Sequence, residues 1–403
     1  MLSKGQQSKQ ASPPREIVVT SVDGGTVSAE VTETWKAFAE RAIEPNPFCH
    51  PAFVLPWLGE IPEGRNGYVL FAWLRLADDD ARLVGVLPIV CERIRFRLLR
   101  IAKQPEIFGA WTPPLLDGGR PEEILQALLS ALVDRGANSL LLPHLGSKGP
   151  VWDAIQTLGR VSGNSVALLR SSDRALLVTK ALNPVGRDAK RISRYARQRR
   201  RLSEKGMLQF SVATGGDLQT FLDQFASLEA ASWKGARKTA FSVLPGGRSF
   251  LNEMLRHVRG SNLLGVAALS LDRKVIASAI VLNSKSSAYY FKIAHDQAYA
   301  RYSPGVLLTL YLTEFWKNFP DIDRVDSLAV ADNSLINRFW QDRIDISTVL
   351  ITTGRSSQLN FVLSCWFEKL RENARLLTRR FRTRRWQLRK DGNDPEPDVY
   401  RSA

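Results

Sequence analysis

Apolar and polar positions alternate and cluster along this chain in a way that predicts strands and helices in a repeated order. Ile17 to Val19 reads as a short strand, and Val31 to Ala42, with Trp35, Phe38 and Ala42 at helical spacing, as a helix. Pro45, Pro47, Pro51 and Pro56 then punctuate Phe48, Phe53 and Trp57, which predicts a packed, proline-rich corner rather than a flexible linker. Two apolar runs, Tyr68 to Leu76 and Leu83 to Val90, flank the acidic turn Asp78, Asp79 and Asp80 and predict a hairpin. Leu125, Leu128, Leu129 and Leu132 mark a helix over 122–135, and Leu140 to Pro143 a strand. The second half predicts helices over 217–233 and 247–259 and strands Leu263 to Leu271, Val275 to Leu282 and Ser287 to Ile293. Helix 305–318 and strand Arg324 to Leu328 follow. The hairpin turning at Asp272 to Lys274 has the shape of the one at Asp78 to Asp80, a weak internal repeat that implies two copies of one mixed α/β unit.

Composition changes this picture little, but the placement of charge changes it a good deal. With 403 residues, 44% of them hydrophobic, the chain is long enough for two cores. The net charge of +16 falls almost entirely in two segments. Nine basic residues against two acidic ones lie between Arg187 and Lys205, and ten against two between Glu368 and Lys390. The first segment has Ile192, Tyr195 and Leu202 as a thin apolar stripe and reads as a solvated basic helix docked by one edge. In the second, Val362, Trp366, Leu370, Ala374, Leu377 and Phe381 recur at helical spacing beneath the charge. That is a basic amphipathic helix, suited either to an anionic membrane surface or to packing back on the protein. Three well-separated cysteines, Cys49, Cys91 and Cys365, offer no disulfide framework and fit a reducing compartment. The polar start and the lack of a long apolar run lead to an expected cytoplasmic location.

Several chemistries find no motif. The four histidines, His50, His144, His257 and His295, form no HxxxH or HExxH pair, so no metal is expected, and GxSxG, GxxxxGK[ST] and GxGxxG are absent. The best candidate site is the strand, loop and helix start from Tyr289 to Gly305. There an apolar strand delivers Lys292, His295, Asp296, Tyr299 and Arg301 into a polar loop, and Ser303-Pro304 opens a helix with Ser as N-cap. A helix N-terminus with an arginine beside it suits a phosphate or diphosphate. Glu229, on the edge of an apolar helix face and near Lys234, is a second candidate for general-base work.

From Lys190 to about Ile344 the chain resembles the GNAT-superfamily acetyltransferases of the CelD type, associated with bacterial cellulose and exopolysaccharide synthesis and themselves similar to the Fem-type transferases. The resemblance rests on Lys190-Arg191-x-x-Arg194, on Leu228-Glu229-x-x-x-Trp233-Lys234-Gly235, and above all on Lys292-Ile293-Ala294-His295-Asp296-x-Ala298-Tyr299-Ala300-Arg301-Tyr302-Ser303-Pro304-Gly305. Asn46-Pro47-Phe48 to Pro56-Trp57 extends it more weakly into the first half. The chain departs from the family pattern in having His295 where Tyr is expected, and Asp326 to Asp332 where a Gly-rich turn is expected.

The resemblance implies tandem GNAT-like units in an α/β fold with a mixed sheet. The expected organisation is a disordered 1–14, a first unit over 15–180, a basic helix or linker over 181–206, a catalytic unit over 207–352, a basic amphipathic helix over 353–390 and a disordered 391–403. It further implies acetyl-CoA or another acyl-CoA as co-substrate and direct attack by an amine or hydroxyl of a small-molecule or glycan-precursor acceptor. Asp296 or Glu229, aided by His295, would be the base, Tyr299 or Tyr302 would protonate the leaving sulfur, and Lys292 would hold acceptor or oxyanion. Arg301, Ser303, Gly305 and Val306 would bind the cofactor, and Trp233, Lys234 and Arg194 the substrate. Competing readings are a Fem-like enzyme using aminoacyl-tRNA, a basic nucleic-acid-binding protein, and a non-catalytic scaffold.

Overall fold

The computed structural model describes residues 16–23, 27–76, 80–93, 99–105, 111–181, 189–236, 238–258, 260–354 and 358–390. The expectations for 1–14, for 391–403 and for the turn through Asp78 and Asp79 lie outside these residues.

Among the described residues, thirteen strands form one continuous sheet. The first unit contributes β1 (Ile17–Asp23), β2 (Gly67–Arg75), β3 (Ala81–Arg93), β4 (Arg100–Lys103), the short β5 (Leu115–Leu116), β6 (Ser139–Gly146) and β7 (Val166–Val178). The second contributes β8 (Leu208–Ala213), β9 (Leu264–Leu271), β10 (Lys274–Ser284), β11 (Ser287–His295), β12 (Arg324–Asp326) and β13 (Asp342–Thr352). Across the sheet the order is β1-β2-β3-β4-β6-β13-β7-β12-β11-β10-β9-β8, with β5 paired to β3. Two neighbouring pairs are parallel, β4 with β6 and β11 with β12, and the other pairs are antiparallel. Each half therefore repeats one plan: a four-strand antiparallel ladder (β1 to β4; β8 to β11) followed by a parallel partner (β6; β12). The last strand of each half is exchanged. β13 pairs with β6, and β7 pairs with β12, while β7 and β13 pair with each other at the seam. The expected second unit, 207–352, thus ends in a strand that lies in the first half of the sheet.

Helices cover both faces. α1 (Ala29–Arg41), α2 (Pro51–Glu60), α6 (Leu218–Ala231) and α8 (Gly247–His257) share one core that spans the two halves; α7 (Trp233–Ala236) is a single turn after α6. α3 (Pro121–Asp134) and α4 (Pro150–Val161) cover the first half, and α5 (Ala189–Ser203) and α9 (Pro304–Lys317) the second. α3 shows why such helices form: Pro121 sits at the first helical position, Glu122 and Glu123 complement the dipole, and Leu125, Leu128, Leu129 and Leu132 are buried along one face.

Part of the proline-rich corner is a helix, α2, with Phe53, Val54 and Trp57 buried. Pro51 occupies its first position, where the missing N–H has no helical partner to lose, and His50 caps it through Nδ1, which accepts the Ala52 N–H at 3.1 Å. Phe53 of α2 meets the rings of Phe48, Phe250 and Phe291, so the corner binds α8 and β11 of the second half. Gly246, which precedes α8 with φ +74°, lets α8 approach α2: a Cβ there would lie 1.8 Å from the Glu60 carbonyl oxygen.

His50 makes this joint acid-sensitive. Burial, with the nearby Lys36 and His257 cations in support, holds its pKa at about 3, below the ordinary 6.5. Between those values the unfolded chain binds a proton that the folded one refuses, so stability falls as pH falls through 6.5 toward 3. His50→Asn, whose side chain can still accept the Ala52 N–H, is expected to flatten this limb in thermal melts across that range while leaving the neutral-pH Tm nearly unchanged.

Candidate functional site

The strand β11 is irregular where its chemistry lies. Ile280 pairs with Lys292 and Val281 with Tyr290, so Phe291 is an extra residue in a bulge. The bulge turns both Phe291 and Lys292 toward the α6–α8 side. Phe291 belongs to that core, and the Lys292 Nζ lies 5.3 Å from the Phe241 ring centroid. Beyond the bulge, the Asp296 N–H donates to the Ile276 carbonyl, and by antiparallel alternation the backbone groups of Ile293 point away from β10. They point into a gap. The parallel partner β12 pairs with β11 only from Ser287 to Tyr289, and β11 runs on to His295 without it.

Lys234 reaches the edge of this gap from α7. Its Nζ donates to the Ile293 carbonyl at 2.8 Å and lies 3.6 Å from Glu229 Oε1. Glu229 is fully buried at the end of α6, and its Oε2 accepts the Phe241 N–H at 2.9 Å. Glu229 Oε1 has no hydrogen-bond partner among the described residues. Ser232 builds the turn that presents these groups: its hydroxyl donates to the Glu229 carbonyl at 2.7 Å and accepts the Lys234 N–H at 3.1 Å. Burial lowers the pKa of Lys234 against the opposing pull of Glu229. Lys292 is brought down to about 8 by burial and by the Lys234 cation, again against Glu229. Two partly buried ammonium groups and one buried carboxylate thus lie together, a net positive arrangement suited to an oxygen that gains negative charge.

Other expected residues fall around this cluster. His295 is buried, and burial together with Lys234 holds it at about 4, so its ring is neutral near pH 7. Gln297 Nε2 lies 3.2 Å from His295 Nε2. Asp296 is committed elsewhere. Its Oδ1 accepts the Ala298 N–H at 2.9 Å and caps the 3-10 turn Gln297–Tyr302, and its Oδ2 pairs with Lys274 at 2.8 Å. Burial raises its pKa, but the bonds from Lys274 and Ala298 outweigh that and hold it below the ordinary carboxylate value, which ill suits a general base. Tyr299 is half-buried with the Lys274 Nζ 5.1 Å from its ring centroid. Tyr302 is buried in the core beneath α9.

Ser303 occupies the N-cap position of α9 with φ +53°, but its side chain makes no cap bond, contrary to the expected hydroxyl cap. Its carbonyl accepts the Leu307 N–H, and the N–H groups of Gly305 and Val306 lie in the first turn, where the helix supplies no acceptor. Arg301 is exposed, with its guanidinium 4.8 Å from the Tyr302 ring centroid. Alongside, Gln198 of α5 donates to the Arg301 carbonyl at 3.3 Å, which sets the exposed Arg194 and Arg197 on the helix next to the α9 start. The side chain of Trp233 lies outside the described residues.

Lys274, Gln297 and Phe241 were not picked out from sequence. Asp272 and Arg273, with φ +48° and +68°, make a tight turn that delivers Lys274 to Asp296; the hairpin was legible, its contact was not. Between that turn, α6 and the 296–297 loop is an open cleft of about 700 Å³, lined by Asp223, Ser227, Leu228, Lys274, Asp296 and Gln297. The corresponding gap in the first half, between β4 and β6, is filled by the chain itself: the Thr112 N–H donates to the His144 carbonyl at 3.1 Å, and the His144 N–H to the Thr112 hydroxyl at 3.0 Å. Trp111 seals it against Gly146, where a Cβ would meet the indole at 2.7 Å. Among the described residues, no group of three His, Cys, Asp or Glu side chains is placed to hold a metal ion.

Comparison with known proteins agrees with this topology. Residues 189–333 match the acetyltransferase (GNAT) domain family. No curated protein matches the chain. Among solved structures, FemX is similar at 10% identity, covering 85% of this chain and 99% of its own, with a TM-score of 0.53. A protein of unknown function from Bacteroides thetaiotaomicron is similar at 10% identity, with coverage of 83% and 100% and a TM-score of 0.53. The C-terminal DUF2156 domain of a candidate lysylphosphatidylglycerol synthetase from Agrobacterium fabrum is similar at 13% identity, with coverage of 84% and 96% and a TM-score of 0.50. The fold is an α/β fold built on one mixed sheet whose two halves repeat one plan, with a basic C-terminal helix, and most of the stretch that matches the GNAT domain lies in the second half.

Proposed function

We propose that this chain is an acyl-CoA-dependent acyltransferase of the CelD-like kind, with acetyl-CoA as the favoured donor and its chemistry in the second half. The acceptor is an amine or hydroxyl of a cell-envelope or exopolysaccharide precursor, met in the cytoplasm. The observation that carries this reading is the buried Glu229, Lys234 and Lys292 cluster at the edge of the β11–β12 gap, inside the segment that matches the GNAT family. The residues suit such a donor. Backbone groups of Ile293 that face a gap can pair with the amides of a pantetheine arm as a strand would. The α9 start, Arg301 and the exposed arginines of α5 offer the positive field that a diphosphate needs. Among the described residues, Trp111 and Thr112 fill the equivalent place in the first half.

In this mechanism the acceptor attacks the thioester carbonyl, and Lys292 and Lys234 stabilise the oxygen that gains charge. The acceptor proton passes to Glu229 Oε1, the C–S bond breaks, and the half-buried Tyr299 protonates the departing thiolate. Isothermal titration with acetyl-CoA tests the donor. Saturable binding by the wild type, weakened about tenfold by Arg301→Ala, is expected; no binding to any acyl-CoA would sink the reading. The exposed arginines of α5, together with the fold likeness to FemX, favour a second reading in which aminoacyl-tRNA is the donor. That reading expects salt-sensitive, nuclease-sensitive RNA binding instead.

A further inference from the structure

The C-terminal helix α10 (Gln358–Lys390) touches the protein by one face and offers the opposite one to its surroundings. Phe361, Cys365 and Phe367 pack on Ile101, Leu141 and Leu350 of β4, β6 and β13, Ser364 is fully buried, and Glu372 pairs with Arg170 of β7 at 2.5 Å. At 100° per residue, Leu359, Val362, Leu363, Trp366 and Leu370 fall together on the far side. All five are exposed: Leu359 by 67%, Val362 by 61%, Leu363 by 41%, Trp366 by 63% and Leu370 by 46%. This stripe cannot turn inward without pulling the other face off the sheet. Isolated exposed apolar residues are ordinary, but five in register on one helix are not.

We propose that this face of α10 docks the protein on an anionic lipid surface. Charge decides between possible occupants. Ten basic residues against two acidic ones lie between Glu368 and Lys390, on the same helix as the stripe. In sequence the apolar spacing continues through Leu377, Phe381 and Leu388, interleaved with that charge. A second copy of this helix would bring like charges together, which disfavours pairing of two stripes. A bilayer carrying anionic headgroups satisfies both features at once, with the apolar side chains and the Trp366 indole at the level of the acyl boundary and the arginines on the phosphates. No helix among the described residues is long and apolar enough to cross a membrane, so such attachment is peripheral. A transferase held in this way would meet acceptors at the bilayer surface. The docking itself stands whatever the donor.

Vesicle co-sedimentation of the full chain tests it, with phosphatidylglycerol–phosphatidylcholine vesicles against phosphatidylcholine alone. Binding to the anionic vesicles, weakened by salt and reduced about tenfold or more in Leu363→Glu/Trp366→Glu/Leu370→Glu, is expected. The variant's thermal melt and acetyl-CoA titration should match the wild type, because its changes lie on the face away from the sheet; a failed titration in both proteins would touch the donor reading and leave this one standing. Equal binding to neutral vesicles, undiminished binding by the variant, or a dimer that the substitutions dissociate and lipid does not would each overturn the proposal. So would lipid binding that disappears on nuclease treatment.

Discussion

Lys292→Met is expected to lower kcat/KM for acyl transfer about 10²- to 10³-fold while acyl-CoA still binds, the loss typical of a removed oxyanion donor. The readout is thiol release from acetyl-CoA with an amine or hydroxyl acceptor that supports turnover. Lys292 is cationic only below about pH 8, because burial and the Lys234 cation outweigh the Glu229 carboxylate. The proposed role needs the cation, so the wild-type rate should fall as pH rises through that value. Lys292→Arg keeps its charge far above it and should lose this alkaline limb. The stability effect has the opposite sign. A folded pKa near 8 against an ordinary 10.5 means that the unfolded chain binds more protons between those values, so stability rises with pH across that window. Below it the buried ammonium costs up to about 3 kcal/mol. Lys292→Met should therefore raise the neutral-pH Tm while it lowers the rate. A rate within about twofold of wild type would remove Lys292 from the mechanism.

How much of this was legible beforehand depended on whether the signal was local. The ladders around Tyr68–Val90 and Leu263–Ile293, helices α3, α6, α8 and α9, and the α/β class follow from apolar periodicity, which is a property of neighbouring residues. Helix α2 was missed because Pro56 argues against a helix interior, while tertiary burial of Phe53, Val54 and Trp57 overrides that local preference. The exchange of β7 and β13 was missed because the pairing of strands far apart in sequence leaves no local periodicity. Within the site, Glu229, Lys234 and Lys292 were all on the candidate list, yet their meeting depends on the Phe291 bulge and the Ser232 turn. The same tertiary geometry withdrew Asp296, which caps a turn and pairs with Lys274, and Tyr302, which is buried beneath α9. The apolar stripe of α10 was readable as amphipathic. Which face docks was not, because Phe361, Cys365 and Phe367 are as apolar as the stripe that faces away.

Arg174→Met is expected to destabilise the protein by about 3–5 kcal/mol, the cost of leaving a buried carboxylate without its partner. Arg174 of β7 and Asp326 of β12 are joined at 2.6 Å, and each side chain is only 6% exposed. Asp326 Oδ1 also accepts the Leu328 N–H at 2.9 Å, and the Arg174 guanidinium lies 5.6 Å from the Trp111 ring centroid. The pair therefore sits where the exchanged β7 meets the second half, against the indole that seals the first. Asp326→Asn should also cost stability, since it leaves the guanidinium buried without a countercharge. Arg174→Met/Asp326→Leu, which removes both charges, should recover most of the loss, and a double-mutant cycle from urea melts would yield a large favourable coupling. Because each half is completed by the other's last strand, all four proteins should unfold in one transition rather than two. Single substitutions costing under about 1 kcal/mol would mean that water reaches the pair and the seam is held by strand pairing alone.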